Sequence, residues 1–230
     1  MNEILGSSVF FGVIISILAY EFGVFLKKKT KLAICNPLLV AIVAVIVLLA
    51  LLKVDYESYK CGANLLSYLL TPATVCLAIP LYEQMSLLRS NVKAIMAGIL
   101  SGVLTSLVAI LAMSLIFGLE HEMYASLLPK SITTAIGMGV SEELGGIVTI
   151  TVAVIIITGI FGNVIGEHVC RLFRIQEPIA KGVAMGTSAH AIGTARAMEM
   201  GEIEGAMSSL SIAVAGLLTV VGASVFAQFL

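Results

Sequence analysis

Charge is what this sequence has least of. Only 12% of its 230 residues are Asp, Glu, Lys or Arg, against 59% hydrophobic, where a soluble domain carries about 25% charge. Too few charged groups remain to cover a surface facing water, which excludes a soluble globular domain, and the mean hydropathy of +1.08 agrees. The net charge of −1 says nothing about partners, and no basic run is long enough to suggest nucleic acid. Cys35, Cys61, Cys76 and Cys170 have no paired spacing, so neither a disulfide framework nor a metal centre is expected. Residues 1–8 carry only Glu3 and lack the basic start of a cleavable signal peptide. There is no G-x-S-x-G, no H-E-x-x-H, no pair of intramembrane Asp residues and no Gly-rich phosphate loop between strand and helix. His190 beside Ser188 is not a triad. The chain reads as a non-enzyme, without catalytic residues or cofactor.

What it has instead is apolar length. A spanning helix needs about 20 mostly apolar residues, and segments 6–26, 32–52, 94–119, 145–165 and 206–230 qualify. Segments 62–82, 126–140 and 179–198 are apolar enough to enter a bilayer but are punctuated by Pro, Gly, Thr and Ser. No long polar linker separates any of these, so residues 1–230 read as one membrane domain. The expected fold is an all-α integral membrane protein, with about seven transmembrane helices plus one re-entrant or broken segment.

Cations set the orientation. Lys27, Lys28, Lys29 and Lys31 put the first loop in the cytoplasm and the N-terminus outside. If 126–140 enters and returns on one side, Arg171, Arg174 and Lys181 fall inside, Glu202 and Glu204 outside, and the C-terminus is cytoplasmic. A full crossing would give eight spans. On the first reading, 62–82 and 179–198 run in opposite directions. Within them Thr71 aligns with Thr187, Ala73 with Ala189 and Glu83 with Glu199. That pairing suggests an inverted repeat with two discontinuous helices, a feature of secondary transporters, its halves at about 32–119 and 126–230.

Polar residues at membrane depth need a reason, since each charge costs about 2.5–3.5 kcal/mol at a helix centre. In 127–146, Pro129 and several glycines loosen the helix while Lys130, Ser131, Thr133 and Thr134 offer a cation and hydroxyls. The segment reads either as a polar loop with an interfacial lysine or as a re-entrant anion-coordinating loop. In 181–202, Gly186, Gly193 and the quartets TSAH and GTAR suggest an interrupted helix, whose free amides favour an anion. Thr187, Ser188, His190, Thr194 and Arg196 lie around that break. His190 is either a proton-coupling group or a satisfied interhelical hydrogen bond. Arg196 either binds substrate or pairs with Glu199, itself a second coupling candidate. In 69–84, Pro72 and Pro80 bracket Thr71 and Thr74, giving either part of a binding site or a kinked ordinary helix.

The stretches NPLLVAIV (36–43), LLTPATVCLAIPLY (69–82), LPKSITTAIGMGVSEELGG (128–146) and GTSAHAIGTARAMEMGEIEGAMSSLS (186–211) closely resemble the LrgB/CidB family, in order and over essentially the whole chain. The resemblance implies a bacterial plasma-membrane protein acting with a small LrgA/CidA-type membrane partner. Family members are called antiholin-like and linked to murein hydrolase activity and autolysis. The plastid relative exchanges glycolate and glycerate, and some bacterial pairs are associated with pyruvate. A carrier of small monocarboxylates is the expectation, a regulator of autolysis without transport the alternative. A homo-oligomer is also compatible. Where the family often reads TTPIA, this chain has Ala135, Ile136 and Gly137 after Thr134, and Gly139 stands where the resemblance implies a larger, often acidic residue.

Overall fold

The computed structural model describes residues 9–30, 36–76 and 78–230, without the side chains of residues 9, 70, 71 and 74. No strand occurs among the described residues. The chain divides into two compact units, Met1–Cys76 and Leu77–Leu230.

The first unit contains α1 (Val9–Thr30), α2 (Pro37–Leu52), α3 (Tyr56–Tyr68) and α4 (Leu70–Cys76). Asn36 caps α2 by accepting from the amides of Leu38 and Leu39, with Pro37 in the first turn, where its missing N–H costs nothing. Lys53 ends α2 in the left-handed region. Asp55 then caps α3; the Ser58 hydroxyl and amide hold its carboxyl below the usual carboxylate range. Gly23 of α1 abuts Pro37, and near the other end of α1 Ser16 Oγ lies 2.8 Å from Tyr59 OH. α1 and α2 are therefore antiparallel neighbours, and α3 lies beside the start of α1.

The second unit contains α5 (Ala78–Glu83), α6 (Met85–Phe117), α7 (His121–Leu127), α8 (Thr134–Glu143), α9 (Val148–Leu172), α10 (Pro178–Met200) and α11 (Glu202–Phe226), closed by a 3-10 turn at Ala227–Phe229. Among the described residues, four helices are long and apolar enough to cross a membrane: Phe10–Thr30, Met85–Phe117, Val148–Leu172 and Glu202–Phe229. α2 is apolar but only 16 residues, about 24 Å. Large apolar side chains such as Leu104, Ile116, Phe161, Leu217 and Val221 point outward. α6 buries Ile95, Ile99, Val103, Leu107 and Ile110, whereas the buried face of α11 is mostly small or hydroxylic, with Gly205, Ala206, Ser208, Ser209, Ser211, Ala215, Gly216 and Thr219. Backbones approach closely through such residues, the usual basis of helix association in lipid.

Segment 126–140 reverses direction. α7 leads in, residues 128–133 turn, and α8 leads back, so that His121 Nε2 donates to the Leu144 carbonyl at 3.1 Å. Ser126 Oγ donates to the Glu122 carbonyl and accepts from the Ile147 amide at 2.7 Å. Thr151 Oγ1 on α9 lies 2.6 Å from Ser141 Oγ and 2.9 Å from the Ser126 carbonyl. These hydroxyls lace the two ends of the hairpin to the start of α9. At ten residues, α8 is about 15 Å long and reaches about halfway through a bilayer.

Segment 62–82, expected to be discontinuous, is divided among α3, α4 and α5, and Leu77 lies outside the described residues. One expectation is corrected. Segment 179–198 does not cross. Ala189 (φ −129°, ψ 16°) and His190 (φ 41°, ψ −138°) reverse the chain inside α10. Afterwards Gly193 lies against the Met185 carbonyl, eight positions back, where a straight helix would separate the two by about 12 Å. One leg of α10 (178–188) therefore runs in, and the other (191–200) runs back. Gly182, in the first leg, touches Glu204, and Met198, in the second, touches Gly205, so both open ends lie at the start of α11.

The correction moves the end of the chain. Tyr124 OH donates to the Phe226 carbonyl at 2.8 Å, which places the end of α11 at the end occupied by residues 120–125. Glu202 and Glu204 lie at the other end, with Arg171 and Arg174. The expectation of opposite sides for 120–125 and the C-terminus fails, because two reversals rather than one lie between them. Inside this unit, hairpin 121–144 with α9 and hairpin 178–200 with α11 enter from opposite ends.

Candidate functional site

Two hairpins that enter from opposite ends need partners at their tips, and α6 supplies one wall for both. Its Ala94, Gly98, Ser101, Gly102, Thr105, Ser106 and Ala109 recur at three- and four-residue spacing, so they form one small, hydroxylic face. Gly98 sits against Val183 and Gly102 against Thr187, so α10 approaches α6 closely. A Cβ on Gly102 would lie 2.6 Å from Thr187 Cγ2.

Along this face runs a cavity of about 810 Å³. One mouth has Asn91 and Glu177, at the end that carries Arg171 and Arg174; the depth has Lys130 and Ser131 from the first hairpin and Thr187 and Ser188 from the second. A second cavity, of about 450 Å³, lies on the α9 side of the same lysine, also beside Ser188. Lys130 Nζ donates to Ser131 Oγ at 2.9 Å, and Ser131 Oγ lies 3.4 Å from Ser106 Oγ. No carboxylate pairs with Lys130 among the described residues. The Thr187 and Ser188 hydroxyls donate to carbonyls four residues back, Val183 at 2.7 Å and Ala184 at 2.6 Å, which leaves their oxygens free to accept. The arrangement is one basic side chain without a carboxylate partner and with hydroxyls around it, chemically suited to a small monoanion.

Other residues singled out in the sequence lie elsewhere. His190 forms the tip of the second hairpin but faces α9, where its Nε2 donates to the Ile155 carbonyl at 3.0 Å. Thr194 is buried, 2.7 Å from Ser208 Oγ. Thr133 and Thr134 open α8 and do not line the cavity. Arg196 is not brought near Lys130. It donates to Glu167 on α9 and, at 2.5 Å, to Glu199, and lines a separate cavity of about 510 Å³ with Arg171, Arg174 and Lys181. Two carboxylates already neutralise its charge. Thr71 and Thr74 lie on α4, where their side chains are outside the described residues.

Sequence reasoning missed residues on α9. Asn163 Nδ2 donates to the Ile192 carbonyl at 2.9 Å and Glu167 holds Arg196, so α9 braces the returning leg of the second hairpin. The i, i+4 pair Glu167–Arg171 was the one local signal available.

Residues 16–229 match the family model described as LrgB-like. The antiholin-like protein LrgB of Bacillus mycoides is 38% identical over 222 residues, covering 96% of each chain. Proteins of the same name from Bacillus cereus and Bacillus anthracis are 37% identical over the same coverage. No solved structure matches. With a match over nearly its whole length, the chain is a membrane protein belonging to the LrgB-like family.

Proposed function

We propose that this chain is a secondary carrier of small monocarboxylates of the pyruvate, glycolate or glycerate kind, working in the bacterial plasma membrane with a small LrgA/CidA-type partner. The observation that carries the reading is the meeting of two re-entrant hairpins, entering from opposite ends, at one cavity whose depth holds Lys130. Half-membrane hairpins with polar tips give a site that each side of the bilayer reaches in turn, which a passive pore does not require. Lys130 attracts the carboxylate. Ser131 and Ser106 orient it, and Thr187 and Ser188 accept from a substrate hydroxyl. Chain and partner reconstituted in liposomes should take up labelled pyruvate or glycolate with saturation, and excess unlabelled substrate on the far side should accelerate that uptake. Flux proportional to concentration, or none, overturns the reading.

The relatives' name, antiholin-like protein, favours a second reading, a regulator of autolysis that transports nothing. It predicts that Lys130→Met leaves lysis control intact when the protein still reaches the membrane, whereas the carrier reading ties any lysis phenotype to flux through this cavity.

A further inference from the structure

A cation held at membrane depth without a counter-charge raises a question the carrier reading leaves open: what state the lysine occupies when no substrate is bound. From α6 the cavity receives only uncharged groups: the Asn91 amide, hydroxyls and apolar side chains. α9 presents one titratable group, the Cys170 thiol, and α10 one, Glu177, which stands exposed at the mouth. His190 faces the other way, onto Ile155, and Glu167 is engaged by Arg196 and Arg171. Ser131 Oγ and its neighbour Ser106 Oγ, the polar atoms next to Lys130, are neutral. Both are hydroxyls, able to accept from an ammonium or donate to a free amine, so the pocket serves either form of the lysine. Burial without a partner disfavours the charged form, and a carboxylate arriving beside the amine restores it.

We propose, building on the carrier reading, that Lys130 is the proton-coupling group of this site, a role that neither His190 nor Glu199 is placed to fill. In the empty site the side chain is the neutral amine. A proton from the aqueous phase adds to the nitrogen lone pair as the carboxylate enters, giving an ammonium–carboxylate pair. On the other side the carboxylate leaves and the N–H bond gives its proton back to water. Empty and loaded sites are both neutral, so each monocarboxylate travels with one proton and no net charge crosses. The selectivity follows: a dicarboxylate leaves one charge unmatched, and an amide or alcohol cannot fix the proton.

The test uses the full chain with its partner in liposomes that contain a pH-sensitive dye, with labelled pyruvate as probe. The expected wild-type result is one proton per pyruvate and a rate unchanged when a potassium diffusion potential is imposed. Lys130→Arg keeps the cation but cannot release its proton. Loaded sites still cross while empty ones do not, so pyruvate-for-pyruvate exchange persists and pH-driven net accumulation is lost. Pyruvate uptake by the wild type that carries no proton, or that responds to the imposed potential, overturns the coupling role and leaves the carrier reading standing. So does pH-driven accumulation at wild-type level in Lys130→Arg. Absence of any saturable pyruvate flux in the wild type instead removes the carrier reading, and this inference with it. Proton counting on the wild type requires no variant, so the result does not depend on how well Lys130→Arg folds.

Discussion

Lys130, His190 and Arg196 share one sequence-level description, an ionisable side chain inside an apolar segment, and the fold gives them three different surroundings. Arg196 is the sharpest case. Its guanidinium is held between Glu167 and Glu199, with side-chain exposures of 28% for Arg196 and 32% for Glu167. A residue whose task is to tie α10 to α9 behaves differently from one that binds an anion. Removing Arg196 alone leaves Glu167 without its partner; neutralising both removes the mismatch. Arg196→Met should therefore lower stability by about 1–3 kcal/mol and reduce uptake, and adding Glu167→Gln should restore part of each. Thermal unfolding in detergent and liposome uptake check this together, and a double variant as inactive as the single one would return Arg196 to substrate binding. His190 was legible as important, but its direction was not. Its φ of 41° is a left-handed value that side chains rarely adopt, and one neighbouring carbonyl satisfies its Nε2–H. Because the glutamine amide nitrogen sits where Nε2 does, His190→Gln should keep the pH dependence of uptake even if the protein unfolds a few degrees earlier. Loss of that dependence with exchange intact would reinstate His190 as the coupling group.

At the scale of elements, long apolar helices were readable and short reversals were not. α6, α9 and α11 were each expected within several residues of where they lie, because uninterrupted apolar length carries the signal. The first hairpin was readable from Pro129 and from the side on which Arg171, Arg174 and Lys181 had to fall. Of the second, the interruption around His190 was readable and the reversal was not: 179–198 has the length of a span, and the turn falls at Ala189–His190, with neither Pro nor Gly to mark it. Glycines nearby made the reversal possible by letting its legs pack. A Cβ on Gly186 would lie 2.9 Å from Ser208 Cα and 2.8 Å from Ser211 Cβ, and one on Gly159 would lie 2.7 Å from His190 Cε1. Gly139 on α8 has nothing within 4 Å of its Cβ position. Gly186→Ala should then cost about 1–3 kcal/mol by pushing α10 off α11, while Gly139→Ala should be neutral or raise stability by up to about 1 kcal/mol through helix propensity. Equal effects in a thermal-shift comparison would show that the legs of α10 do not pack on α11 as described. The hydroxyl lacing of the first hairpin is the milder counterpart. Thr151→Val removes the contacts to Ser141 and Ser126 and should cost about 0.6–1.7 kcal/mol, the range for hydrogen bonds between membrane helices.

For the molecule as a whole, the reversal in α10 changes which residues face which side. Between residues 120 and 226 the chain reverses twice without crossing, in 121–144 and in 178–200, and crosses twice, in α9 and α11. Two crossings return it to the side from which it set out. The contact between Tyr124 and the Phe226 carbonyl is the local expression of that count. Charge bias alone did not reveal it: Glu202 and Glu204 look like the acids of an external loop, yet they sit with Arg171 and Arg174 at one end. In the N-terminal part of α11 they also meet the positive end of the helix dipole, a local stabilisation that does not depend on which side of the membrane they face. The consequence can be measured without any transport assay. In a background lacking Cys35, Cys61, Cys76 and Cys170, single cysteines at Glu122 and Gln228 should react with a membrane-impermeant maleimide from one side of the membrane. Cysteines at Arg174 and Glu202 should react only from the other. If Gln228→Cys and Arg174→Cys label from the same side, α10 crosses, the second hairpin does not exist, and the meeting of two tips at Lys130 is lost. If they label from opposite sides, the two hairpins stand as an opposed pair, and the cation at their meeting point is reached through the cleft between α6 and α10 from the end that carries Arg174.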